Sequence, residues 1–136
     1  MTSLSLGFAA FLLIAVPTVE IGGLSLLYMI RKRDPGYLDN QVRRNLFRAG
    51  HAHAGVWVVL ALVALLYVDQ ADLPDLLKLI IRICFAAAPI LMALGFFLSI
   101  IPPRAERPNN VIFLVYLGGL LLAFGTVTLG IGLARI

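Results

Sequence analysis

Four stretches of this chain, at about residues 4–30, 49–68, 77–101 and 111–134, are almost free of charge. Each is at or above the run of about 20 apolar residues that a helix needs to cross the hydrocarbon core of a bilayer. Water is absent there, so the backbone must satisfy its own N–H and C=O groups, and a helix does this within one segment. The sequence therefore predicts an all-α fold, a four-helix transmembrane bundle. Apolar residues make up 61% of the chain and charged residues 13%, with a mean hydropathy of +0.98. That is far from soluble-domain composition, and little chain is left over for a separate soluble unit. Residues 1–136 read as one integral-membrane domain whose first partner is the lipid bilayer.

The charges lie almost entirely between the spans, and unequally. One side carries Arg31, Lys32, Arg33, Arg43, Arg44, Arg48, Arg104 and Arg107; the other carries Lys78, Arg82 and Arg135 beside Asp69, Asp72 and Asp75. Basic loops stay inside. The expectation is a multi-pass protein of the inner (cytoplasmic) membrane, with loops 31–48 and 102–110 cytoplasmic and both termini outside. The first span has no basic segment before it and runs directly into Arg31-Lys32-Arg33, so it reads as a retained helix rather than a signal peptide. The net charge of +4 follows from this topology, and no motif or aromatic–basic interleaving points to nucleic acid. The single Cys84 cannot form an internal disulfide.

Inside the spans, polar side chains are few and therefore informative. His51 and His53, the only two histidines, stand among small residues in Arg48-Ala49-Gly50-His51-Ala52-His53-Ala54-Gly55, at the mouth of the second span. An imidazole there is costly unless it is hydrogen-bonded or bound to a metal. Positions two apart lie about 200° apart around a helix, so the rings face different neighbours and cannot share one metal. Either they are hydrogen-bonded packing residues, or at least one binds a metal or cofactor. Glu20, three residues after Pro17 in the first span, reads as a carboxylate that orients a histidine from behind or as half of a structural pair. Its depth is about 10–15 Å from the basic edge, against about 5–8 Å for the histidines. Arg48, Arg107 and Asn109 fall on the same side and are candidates for an anionic pocket; Asn109 and Asn110 also suit capping of the last helix. Gly118, Gly125 and Gly132 recur at seven-residue intervals, a packing seam within one chain or between copies.

Two patches carry a family resemblance. One is the Arg48-Ala49 lead into a histidine followed by glycine. The other is Gly95-Phe96-Phe97-Leu98 followed by Pro102 and Pro108-Asn109. With the four-span layout, these resemble the small membrane isomerases typified by styrene oxide isomerase and hydroxylaminobenzene mutase. The resemblance implies a symmetric homo-oligomer, a trimer, with haem b between subunits. It implies an axial ligand at His51 or His53, and haem propionates near Arg48, Arg107 and Asn109. It further implies iron acting as a Lewis acid on a small apolar substrate of epoxide or arylhydroxylamine type. The family's helix-three tyrosine aligns with Phe97, which has no hydroxyl, and its asparagine aligns with Trp57 or Val59. Haem binding is thus carried further by the resemblance than isomerisation.

Two functions remain open from the sequence: a haem-dependent membrane isomerase, and a non-enzymatic haem carrier or accessory membrane subunit of a larger complex. The topology can be tested separately. Single cysteines introduced at Asp39 or Arg107 of a Cys84→Ala variant should react with an impermeant maleimide only after the cytoplasmic face is opened. Labelling of position 72 from the cytoplasmic face instead would reverse the orientation.

Overall fold

A computed structural model describes all residues 1–136 as helices and short connections, with no strand. The order is α1 (Ser3–Arg31), a one-turn α2 (Pro35–Leu38), α3 (Gln41–Val68), α4 (Asp75–Leu98) and α5 (Phe113–Leu133), the last entered through a 3-10 turn at Asn110–Ile112. Four helices are long and apolar enough to cross a membrane. This is the expected all-α arrangement of four long apolar helices, with shifted ends. The third span stops at Leu98 rather than residue 101, because Ser99 caps it and three prolines follow.

The larger shift is at α3, which begins eight residues before the expected span. Asn40 supplies the reason: its Oδ1 accepts from the Arg43 N–H at 3.0 Å, the bond an N-cap makes. Its Nδ2 donates to the carbonyls of Pro103 and Ala105 at 3.0 and 2.9 Å. That side chain starts α3 and pins the α4–α5 connection to it. The basic 31–48 segment is therefore mostly helix. The histidines lie three turns into α3 rather than at its mouth.

Other ends obey the same rules. Pro35 opens α2 behind an Asp34 cap, whose Oδ1 accepts from the Gly36 N–H at 2.8 Å. At the end of α1, Arg33 takes a left-handed φ of 50°. The Arg33 N–H bonds Ile30 O at 3.1 Å and the Asp34 N–H bonds Met29 O at 3.0 Å, the paired bonds of a Schellman stop. Asn109 accepts from the Val111 N–H at 2.9 Å and so caps the turn into α5, as its position suggested.

Packing concentrates at the two ends. Toward the acidic side, Leu12, Ala61, Leu65, Ile81, Phe85 and Leu122 belong to the main apolar core. At the basic end, Leu26, Tyr37, Phe47 and Ile100 form a smaller one. The glycine seam of α5 is spent inside the chain, against α4 and the turn before it. A Cβ at Gly118 would lie 2.5 Å from Met92 Cγ and 2.9 Å from the Ala88 carbonyl, and one at Gly132 would lie 2.5 Å from Leu73 Cγ.

The acidic end carries a buried polar cluster. Arg82, 4% exposed, donates from Nη2 to Asp69 Oδ1 at 2.5 Å and from Nε to Ser5 Oγ at 2.8 Å. Ser5 Oγ donates to Asp69 at 2.9 Å, and Thr2 adds its backbone N–H and its hydroxyl. Burial pushes the Asp69 carboxyl up, but the bonds from Thr2, Arg82 and Ser5 outweigh it and hold it well below the usual carboxylate range. A depressed folded-state pKa adds stability that is complete above the unfolded value and lost as pH falls. In detergent, the melting temperature should thus be level from pH 7 to about 5 and fall below about 4. Asp69→Asn should flatten that acid limb. Arg82→Gln should lower the melting temperature and shrink that acid limb, because it removes the cation from a carboxylate that keeps only its Thr2 and Ser5 donors.

Candidate functional site

Between the two cores the bundle is incompletely filled. A cavity of about 240 Å³ lies between α1, α3 and α4, walled by Leu12, Thr18 and Gly22, by His51 and Val58, and by Pro89 and Phe97. The prolines within α1 and α4, Pro17 and Pro89, fall at this level. Each removes a backbone donor from its helix, and the buried Pro89 lines the space. A second, open groove of about 600 Å³ runs along the basic end between α1, α2 and α3, bordered by Gly23, Leu27, Tyr37, Arg44, Arg48 and His51. His51 borders both spaces.

The two imidazoles face different neighbours, as their spacing requires. The His51 ring lies close against Gly22 and Gly23 of α1: a Cβ at Gly23 would come within 2.8 Å of Cε1 and 2.9 Å of Nε2. Only glycine leaves room for the ring there. Nδ1 of His51 is buried with no hydrogen-bond partner, at a cost of about 1–3 kcal/mol for an unmet buried polar atom.

His53 is placed quite differently. Its Nδ1 lies 2.7 Å from the Ala49 carbonyl oxygen. A carbonyl can only accept, so Nδ1 carries a proton, and in the neutral ring Nε2 is then the nitrogen with the lone pair. The half-buried ring packs against Phe96 of α4, with ring centroids 5.0 Å apart, and edge-on to Trp57 at 6.0 Å. The Trp57 indole N–H is itself buried without an acceptor.

The remaining expected residues are not gathered around these rings. Glu20 is exposed on the outer face of α1 and makes no hydrogen bond to either histidine; the α1 register turns Gly22 and Gly23 inward at that level. Arg48 borders the groove beside His51, whereas Arg107 and Asn109 border a separate depression with Pro108 and Asn110. A single pocket built from Arg48, Arg107 and Asn109 is thus not assembled within the chain, and Asn109 is engaged as a cap. Phe97, the position aligned with the family tyrosine, does line the cavity.

Arg44 and the polar cluster at Arg82 went unassigned in the sequence. Arg44, Arg48 and His51 are spaced i, i+4, i+7 and share one face of α3, a signal the sequence does contain. Arg44 donates to the Leu38 carbonyl at 2.6 Å, which also caps α2. Arg82 stands eight residues into α4 and Asp69 at the end of α3, and a lone charge at that depth calls for a partner.

No group of three His, Cys, Asp or Glu side chains is gathered to hold a bare metal ion. One imidazole suffices only for a metal that brings its own ligands, as in a macrocycle. No protein-family model matches the chain, and neither a curated protein nor a solved structure is significantly similar to it.

Proposed function

We propose that this chain is an integral-membrane haem b-binding protein whose axial ligand is His53. The observation that carries the proposal is the 2.7 Å bond from Nδ1–H of His53 to the Ala49 carbonyl. Metal-bound histidines almost always anchor their second nitrogen in this way, which fixes the ring and leaves Nε2 free to bind. His51 lacks any such anchor. A cavity of about 240 Å³ is below the usual range of about 300–1,000 Å³ for organic ligand sites. A porphyrin therefore belongs on the half-exposed flank of α3 and α4 at His53, with Phe96 and Trp57 as its apolar neighbours.

Bound there, haem would supply a Lewis-acidic iron able to polarise a substrate heteroatom, the chemistry implied by the resemblance for an epoxide or arylhydroxylamine. The protein's part is to fix the ring of His53 and to keep water from its flank. A haem carrier or accessory subunit is the second reading. It is favoured by Phe97 and by Trp57 or Val59, which offer no hydroxyl or amide where the family has them. Turnover of aryl epoxides or arylhydroxylamines by the purified protein separates the two readings.

The purified protein should show a Soret band and a b-type pyridine haemochrome. His53→Ala should abolish the pigment, while His51→Ala and Glu20→Gln should keep it. Full pigment retention in His53→Ala would remove the ligand assignment.

A haem on an outer flank calls for cover, and the proposal includes a symmetric homo-oligomer, a trimer by the resemblance. Two features support association. Glu20 is exposed within a span, where a charge costs about 2.5–3.5 kcal/mol by insertion scales. Gly119 and Gly130 have nothing within 4 Å of a Cβ position and, with Ala123 and Thr126, form a small-residue face of the kind that packs helices in lipid. The Gly119→Leu, Gly130→Leu double variant should fold with an unchanged melting temperature but run as a monomer by light scattering in mild detergent. Gly118→Leu, which collides with α4, should not fold. A monomeric parent protein would remove the oligomer.

A further inference from the structure

We propose that the groove and cavity on either side of His51 form one binding site for a single-chain anionic amphiphile, such as a long-chain carboxylate. The two spaces share one wall, His51, with Gly22 lining the cavity and Gly23 lining the groove on either side of it. Their chemistry is opposite. The groove at the basic end presents Arg44 and Arg48; of these, Arg48 is exposed and forms no hydrogen bond, while Arg44 spends one N–H on Leu38. The cavity beyond His51 is apolar, with Val19, Val58, Leu94 and Phe97 among its walls.

The helix spacing orders these groups along one axis. From Arg48 to His51 the rise is about 4.5 Å, and from Arg44 about 10.5 Å, so the arginines stand toward the membrane surface and the cavity toward its interior. An ionised head at the surface and a tail in the hydrocarbon follow the same polarity. Guanidinium groups suit carboxylate oxygens through charge-assisted hydrogen bonds. His51, with an imidazole that no protein group bonds, forms the wall between the two spaces and offers a ring nitrogen to a head-group oxygen. Size sets the tail. At about 30 Å³ for each methylene-sized group, the volume a water takes up in the liquid, the cavity of about 240 Å³ takes part of one chain and not two. The site is separate from the flank of His53, so it stands whether or not haem binds there.

The test uses the whole protein in nanodiscs of phosphatidylcholine, with a palmitate carrying a mid-chain diazirine as probe. After irradiation, adducts mapped by mass spectrometry should fall on Val19, Leu94 and Phe97. Unlabelled palmitate should compete at least tenfold better than hexadecanol, a difference of about 1.4 kcal/mol. Arg48→Gln should weaken labelling about tenfold, the size of one charge-assisted contact. Ala93→Leu, which fills the cavity from α4, should suppress labelling. Both variants should keep the parent's melting temperature. Competition by lysophosphatidate equal to that of palmitate would extend the head to phosphate, still on one chain. Equal competition by hexadecanol would overturn the anionic head, and equal competition by two-chain phosphatidylglycerol would overturn the single tail. Adducts spread over outward residues such as Phe11 and Leu120 would overturn the site.

Discussion

The attachment of α1 governs the rest of this structure. Only 11% of its spanning residues are buried inside the chain, against 50% for α4, so packing alone holds it weakly. Two local devices hold it instead. At one end, Thr2 and Ser5 are drawn onto the Asp69–Arg82 pair. At the other, the Schellman stop at Arg33 turns the chain into α2, whose Tyr37 is buried in the small basic-end core. Between these anchors α1 leans on α3 through Gly22 and Gly23, and it stands away from α4. The cavity is the space so left. α4 and α5, by contrast, close upon each other through glycines and leave no room for a ligand between them.

The architecture was legible in the sequence because bilayer physics leaves few choices. A long uncharged run must be a helix, and four such runs must pack. The ends were less legible. An apolar-run criterion starts α3 where its charges stop, near residue 49, but Asn40 caps the helix at a point where water is still available to Arg43, Arg44 and Arg48. Helix propensity and capping, rather than hydropathy, decide that boundary. The glycine interval in α5 marked a close contact, yet it carried no information about which helix lies across it. Gly118 facing Ala88 and Met92 is a tertiary fact.

The histidines show the same division. Their separation around α3 followed from spacing alone, and the structure turns them to different helices. What spacing cannot supply is the hydrogen bond that distinguishes them. His53 finds the Ala49 carbonyl one turn back, while His51 is pressed sideways against α1 and loses access to the equivalent carbonyl of Phe47. The two rings, near neighbours in sequence, therefore differ in their hydrogen bonding: one is anchored to a backbone carbonyl, and the other has an unmet nitrogen. Glu20 failed to join either ring for a related reason. Val19, Gly22 and Gly23 occupy the inward face of α1, and Glu20 lies off that face.

The arginines of the basic end carry two loads at once. Arg43 donates to the Gly36 carbonyl at 3.2 Å and covers the Phe47 ring at 4.4 Å, and Arg44 closes the last turn of α2. Both fasten the short helix that roofs the groove. Arg48, one turn further in, has no such duty, although it lies on the same face as Arg44 and His51. Its guanidinium is exposed, set beside an unmet imidazole and near an apolar gap. A well-packed bundle would gain by filling the gap with a larger side chain at Ala54 or Ala93, each worth about 0.8 kcal/mol per methylene buried, and by giving His51 an acceptor. The small residues at those positions leave the gap between α1, α3 and α4 open at the expense of packing.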